Sequence, residues 1–70
     1  MNQQYLVIVA RAPHNFAAYA PDLPGCVATG STKEETLTNM RDAIAFHLEG
    51  LQEDGQSIPA PTSTAEYLAV

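Results

Sequence analysis

The longest apolar stretch of the chain is QYLVIVARA, from Gln4 to Ala12. Its side chains are apolar on both parities, with Tyr5, Val7 and Val9 on one side and Leu6, Ile8 and Ala10 on the other. A strand that is apolar on both sides is typical of a strand buried on two faces. The pattern therefore predicts a first strand in the centre of its sheet.

Two further strands are predicted by shorter apolar runs between turn residues. Pro13, His14 and Asn15 form a turn signal, and Phe16 to Ala20 then reads as a strand that pairs with the first as a hairpin. The run from Cys26 to Thr29 predicts a third strand.

The connector YAPDLPGCVATG, from Tyr19 to Gly30, raises the question of whether it is a catalytic loop, a metal clip or a rigid turn. Pro24 and Gly25 stand at the central positions of a type II turn, where proline presets φ and glycine accepts a positive φ. Pro21 and Asp22 stiffen the entry. We expect a joint of the sheet, with Leu23 as a candidate for display to a partner.

A single long helix follows. Thr32 and Glu35 have the spacing of a capping box, and Gly55 supplies a left-handed residue at the other end, so the helix is predicted from Lys33 to about Asp54. One face should cover the sheet, and it consists of Leu37, Met40, Ile44, Leu48 and Leu51.

The remainder is a proline-containing extended connector from Ser57 to Thr64 and a possible short fourth strand from Tyr67 to Val70. The element order is then β-β-β-α-β, an α+β fold with one helix on one sheet. A right-handed crossover would place the last strand parallel to the first and beside it.

The helix face opposite the core carries a stripe of acidic residues. By the rotation of about 100° per residue, they fall within roughly 40° of one another; they are Glu35, Asp42, Glu49 and Glu53. Phe46 projects into the same stripe, and Gly50 lies one turn beyond it. These residues are candidates for partner binding. The alternative is a solvated acidic face, with Phe46 packed under the C-terminal segment.

The charge balance narrows the function. Three basic residues oppose eight acidic ones, which gives a net charge of −5. Because the basic residues do not cluster, direct nucleic-acid binding is not expected, and a basic protein partner is. No apolar run is long enough to span a membrane, and no basic leader precedes the first apolar run, so no membrane association or secretion is expected. One cysteine fits a reducing cytoplasm.

Self-association is also expected. One helix covers one face of the sheet, yet the first strand is apolar on both, so one of its two faces would stay exposed in a monomer. A homodimer or higher oligomer would bury it.

Candidates for catalysis are isolated. His14, His47, Cys26 and Asp22 show no spacing typical of a metal site or of a nucleophile with its base. We therefore expect no catalytic residue, no metal and no cofactor, and assign His47 and Cys26 to the structure.

The order of the motifs resembles the HicB-like antitoxin family. The resemblance rests on the opening Tyr5-Leu-Val-Ile-Val and on Tyr19-x-Pro-Asp-Leu-Pro-Gly-Cys26, followed by Gly30-x-Thr32-x-Glu-Glu35, Ala43-Ile-x-x-His-Leu-Glu-Gly-Leu51 and Glu53-Asp-Gly-x-x-Ile-Pro-x-Pro61. It implies a partial ribonuclease-H-like fold and a non-enzymatic domain that binds and neutralises a HicA-type toxin, a small basic ribonuclease that cleaves mRNA.

The expected domain organisation is one HicB-like antitoxin domain over residues 1–70. Many members of the family continue into a DNA-binding domain, but few residues follow Pro59 and none of them is basic, so no such domain is expected. Two other functions remain open: a homo-oligomeric scaffold or small-ligand module without a toxin, and a small hydrolase or nuclease that uses Asp22, Cys26 or His47.

Overall fold

The computed structural model describes residues 3–70 as three strands followed by one helix. The elements are β1 (Ile8–Arg11), β2 (Phe16–Tyr19), β3 (Val27–Gly30) and α1 (Lys33–Glu53). The strands form an antiparallel sheet in the order β1-β2-β3. This confirms the predicted α+β class and the order of its first four elements.

The register of the sheet separates two faces. Val9 pairs with Ala18 and Ala18 with Ala28, and this row packs in the core. The next row consists of Ile8, Tyr19 and Val27, which are 37%, 46% and 63% exposed. We call this second side the open face of the sheet, because α1 packs on the other one.

The core lies between the sheet and α1. Its buried apolar members are Ala18, Ala20, Leu23, Cys26, Met40 and Leu48. Leu23 is fully buried, so its predicted display to a partner is wrong. The tight turn that carries Leu23 directs its side chain into the core between the sheet and α1.

Two of the five residues in the predicted helix stripe are buried. Met40 and Leu48 are buried, Ile44 and Leu51 are half-buried, and Leu37 remains 41% exposed. The stripe is therefore rotated from the predicted one, since α1 lies closest to β3 and leaves its Leu37 side towards β1 partly uncovered. No helix within residues 3–70 combines the length and the apolarity needed to cross a membrane.

Both ends of α1 have the predicted caps, with one difference. The Thr32 hydroxyl accepts a hydrogen bond from the Glu35 amide at 3.0 Å, as a capping box requires. The Glu35 carboxylate, however, accepts from the amide and hydroxyl of Ser31, at 2.7 and 3.1 Å, instead of reaching the Thr32 amide. The helix ends at Glu53 with Asp54 as its C-cap, and Gly55 follows with a φ of 72°.

The turn between β2 and β3 confirms the type II prediction. The Cys26 amide donates to the Leu23 carbonyl at 3.0 Å, and Gly25 has a φ of 83°. Any other residue at Gly25 would adopt this φ only with strain. Pro24 is exposed on the outside of the turn.

The first strand is an edge strand, so its predicted central position is wrong. The fourth strand predicted from Tyr67 to Val70 does not form beside it; residues 56–70 contain no helix or strand. Two contacts hold the first part of this segment: the Tyr5 hydroxyl donates to the Pro59 carbonyl, and Asp22 binds Thr62 and Ser63. The proline-punctuated connector lacks the donors of a regular ladder.

The first turn of α1 packs unusually closely on the end of β3. A Cβ placed on Gly30 would lie 2.7 Å from both the amide nitrogen and Oγ1 of Thr36, which is fully buried. The Thr36 hydroxyl donates to the Thr32 carbonyl at 2.7 Å, so it is held in place. Asn39 then donates to the Thr29 carbonyl at 2.9 Å and ties the next turn to the same strand.

Replacement of Gly30 by alanine should destabilise the fold. Because backbone atoms obstruct the added methyl group, the helix must shift away from β3, and we expect a loss of about 1–3 kcal/mol in the free energy of unfolding. Urea denaturation followed by circular dichroism measures it. An unchanged midpoint would contradict the close packing.

Gly50→Ala is the matched control for this experiment. No atom lies within 4 Å of a Cβ placed on Gly50, and alanine is the better helix former by about 1 kcal/mol. We therefore expect the same chemical change to stabilise the fold at Gly50 and to destabilise it at Gly30.

Candidate partner-binding surface

The side of α1 that faces solvent carries a strip that we call the acidic ridge: Asp42, Phe46, Glu49 and Glu53. All four side chains are exposed, and Phe46 is 80% exposed. The alternative that Phe46 packs under the C-terminal segment is therefore wrong. A phenylalanine left in water among three carboxylates is costly unless another surface covers it.

A groove adjoins the acidic ridge on its β3 side. It lies between the second half of α1 and the turn that leads into β3, and its lining includes Val27, Ala43, Phe46, His47 and Gly50. Val27 was missed as a candidate, although the strand pattern places it on the side opposite the buried Cys26. Phe46 forms one wall and Val27 the other, so the groove offers two apolar contacts beside the acidic ridge.

Gly50 has no structural reason to be glycine within residues 3–70. It lies inside α1, its backbone needs no positive φ, and nothing stands within 4 Å of the position that a Cβ would occupy. Its cost to the helix, about 1 kcal/mol relative to alanine, is therefore uncompensated in this chain. The bare backbone at this point permits another molecule to approach closely.

Glu35 lies apart from the acidic ridge. It precedes Phe46 by eleven residues, which is roughly 16 Å along a helix. Its carboxylate binds Ser31, and the backbone hydrogen bond followed by the side-chain one keeps the pKa of Glu35 below its ordinary value. Glu35 thus contributes to the helix start.

Asp22 holds the C-terminal segment to the sheet. Its Oδ2 accepts from the amides of Thr62 and Ser63, both at 3.0 Å, and its Oδ1 accepts from their hydroxyls at 3.1 and 2.7 Å. The Ser63 amide is the largest cause of a pKa for Asp22 below the ordinary value. This partner lies forty residues away, and the predicted role in bracing the Pro-Gly turn did not anticipate it.

The groups considered for catalysis are not arranged as a reactive centre. Burial raises the pKa of Cys26, so its thiol is less easily ionised than a free one. His47 is half-buried in the groove wall, and His14 is exposed in the turn between β1 and β2. In the described part of the chain, no three histidine, cysteine or acidic residues gather where a metal ion could bind.

The remaining residues singled out from the sequence have structural positions. Tyr19 is half-exposed on the open face, and Thr32 caps the helix. Pro21 and Pro24 are exposed on either side of the buried Leu23. The turn, the cap and the close contact at Gly30 together set the angle at which α1 leaves the sheet.

This arrangement of motifs matches a known family over almost its whole length. The family model of the HicB_like antitoxin of bacterial toxin-antitoxin systems matches residues 5–70. The chain belongs to the HicB-like antitoxin family.

Relatives of this HicB-like chain occur in bacteria, archaea and phage. It is 31% identical over 65 residues to Antitoxin HicB 2 of Photorhabdus laumondii, covering 93% of this chain and 47% of that protein. It is 31% identical to an uncharacterized 14.9 kDa protein of Haemophilus phage HP1, covering 91% of this chain and 48% of that protein. The UPF0150 protein Ta0767 of Thermoplasma acidophilum is 35% identical, with 80% and 83% covered. The chain thus spans about half the length of the first two.

A solved structure shares the fold. A chain in the HicA3 and HicB3 toxin-antitoxin complex superposes with a TM-score of 0.72 at 30% sequence identity. The match covers 86% of the HicB-like chain and 70% of the other.

The Asp22 contacts should weaken in acid. Since its pKa is lowered in the folded state, the stabilisation is complete above the ordinary value of 3.8 and is lost as the pH falls through the folded-state pKa. We expect the protection of the Thr62 and Ser63 amides from hydrogen exchange, relative to the intrinsic rate at each pH, to decrease over that range. NMR on the intact chain measures this.

Asp22→Asn should abolish most of the pH dependence, because an amide does not ionise and accepts at one oxygen only. Asp42→Asn is the control, since Asp42 is exposed and lies on the acidic ridge. Exchange at Thr62 that stays slow in the Asp22 variant would contradict the role of Asp22.

Proposed function

We propose that this chain is a non-enzymatic antitoxin domain that binds a small basic toxin of the HicA type in a prokaryotic cytoplasm and neutralises it. The toxin would lie against the acidic ridge, insert an apolar side chain beside Phe46, and bring its backbone close to Gly50. The observation that carries the proposal is Phe46, 80% exposed between carboxylates and next to an uncompensated glycine.

The charge distribution supports a basic partner at this surface. Two of the three basic residues lie elsewhere: Arg11 is on β1 and Lys33 opens α1, whereas Arg41 borders a depression that also includes Glu49. The three carboxylates of the acidic ridge still outnumber this one cation, and a basic surface would complement them.

The comparisons support the same class of partner. A HicB antitoxin is among the relatives, and the matching solved chain comes from an assembly of HicA3 with HicB3. A non-enzymatic role accords with a thiol whose pKa is raised by burial and with the separation of His14 from His47.

Self-association is a second candidate property, and a separate surface favours it. Ile8, Tyr19 and Val27 leave an apolar row on the open face, which α1 does not cover. We propose that two or more copies bury this face while the acidic ridge remains available to the toxin.

Phe46→Glu should weaken toxin binding strongly. It removes the apolar contact and adds a like charge to the acidic ridge; we expect a loss of at least about 2 kcal/mol, or roughly 30-fold in Kd. Isothermal titration with the small basic protein encoded by the adjacent gene measures it. Ala45→Glu adds the same charge at the neighbouring exposed position and should bind nearly as the wild type does.

Charge reversal on the acidic ridge should slow the association of the toxin with this chain. Asp42→Lys and Glu49→Lys replace attraction by repulsion, so we expect a several-fold slower association rate and a weaker dependence on salt. Stopped-flow measurements at two salt concentrations test this, with Glu34→Lys, an exposed acid in the first turn, as the control.

The proposal fails under clear outcomes. If the adjacent gene product does not associate with the intact wild-type chain at micromolar concentration, the chain is not its antitoxin. If it associates but Phe46→Glu and Ala45→Glu bind equally well, the toxin uses another surface.

A further inference from the structure

A second apolar element accompanies the open face of the sheet. Residues 64–70, which we call the arm, follow the contact of Ser63 with Asp22 and contain no helix or strand. Tyr67 and Val70 are fully exposed and Leu68 is 83% exposed. The chain therefore leaves two apolar surfaces in water, one on the sheet and one on the arm.

The arm does not cover the open face of its own chain. Ala65 and Tyr67 border a depression along β1 that includes Ile8 of the open face and also Arg11 and Lys33, so the arm reaches only the β1 edge of that face. With the arm in this place, Tyr19 is still 46% exposed and Val27 63% exposed. The contacts of Thr62 and Ser63 with Asp22 fix the base of the arm at this side of the sheet.

We propose that the arm of one copy lies across the open face of a second copy, and that the exchange is reciprocal. The inference rests on the proposed self-association and specifies its contacts. Tyr67, Leu68 and Val70 of each copy would pack on the row formed by Ile8, Tyr19 and Val27 of the other. A two-fold axis closes such an assembly at a dimer.

The uncharged side chains of the open face favour the arm of a second copy over a charged partner. The side chains that the strands direct to the open face are all uncharged: Ile8, Ala10, Ala17, Tyr19, Val27 and Thr29. The arm carries one charged side chain, Glu66, near its base, and four uncharged residues follow. A basic partner would find no carboxylate on this face, and the acidic ridge of another copy would lose hydration without gaining a counter-charge.

Interface size requires the arm as well as the face. Three strands of four residues measure roughly 14 Å by 13 Å, or about 200 Å² of flat sheet. A stable interface takes about 800 Å² from each partner, so two faces alone are too small. Seven extended residues reach about 23 Å, enough to cross all three strands. An aromatic side chain alone adds about 150–250 Å².

Sedimentation equilibrium of the intact chain and two variants tests the proposal. The wild type should sediment at twice the chain mass of 7.5 kDa at micromolar concentration. Tyr19→Lys on the face and Leu68→Lys on the arm should each raise the dimer Kd more than about tenfold. Ala45→Lys places the same charge on the exposed side of α1 and should leave the dimer unchanged.

A second measurement does not depend on variants. In a mixture of isotopically labelled and unlabelled wild-type chains, filtered NMR experiments detect contacts between copies only. We expect such contacts between the Tyr19 ring and the methyl groups of Leu68 and Val70.

The possible results distinguish the arm exchange from self-association in general. A monomer at every concentration would overturn self-association together with the arm exchange. A dimer that withstands both lysine variants, or whose arm contacts only its own sheet, would overturn the arm exchange and leave self-association intact. Neither result bears on toxin binding at Phe46.

Discussion

The contact between Gly30 and Thr36 determines how α1 lies on the sheet. Because β3 ends in a residue without a side chain, the first turn of the helix approaches its backbone, and the Asn39 bond to Thr29 continues the contact along the strand. The helix is consequently held towards β3. This placement turns Phe46 outward, leaves β1 only partly covered, and leaves the far side of the sheet uncovered.

The same placement separates the surfaces by chemistry. On the far side of α1, carboxylates surround a single aromatic ring, and this combination suits a cationic partner. On the open face, no ionised group accompanies the apolar row, and this suits a neutral one. The two surfaces differ in chemistry but meet at Val27, which lines the groove beside Phe46 and also belongs to the open face.

The sequence predicts well what depends on neighbouring residues. The Pro24-Gly25 turn, the Thr32 cap and the length of α1 each follow from signals a few positions apart, and the structure confirms them. The side of α1 on which Phe46 lies also follows from helical periodicity. These features need no knowledge of where distant segments pack.

Features that depend on distant segments were predicted poorly. Asp22 meets Thr62 and Ser63 across forty residues, and no local pattern announces that pairing. Apolar residues on both parities of β1 suggested a central strand, but the same pattern also arises at an edge with one uncovered face. Leu23 was misplaced because turn residues are usually exposed, whereas this turn folds its side chain into the core.

Because Cys26 is buried, the reactivity of its thiol reports local opening of the domain. The chain has one cysteine, 5% exposed directly after the turn at Gly25, and its raised pKa slows reaction with thiol reagents further. Although Cys26 borders the groove beside Phe46, its side chain is nearly buried, so a disulfide reagent should modify it faster when this corner of the domain transiently opens. The rate of labelling therefore reports how often the turn between β2 and β3 opens, without any introduced dye or isotope.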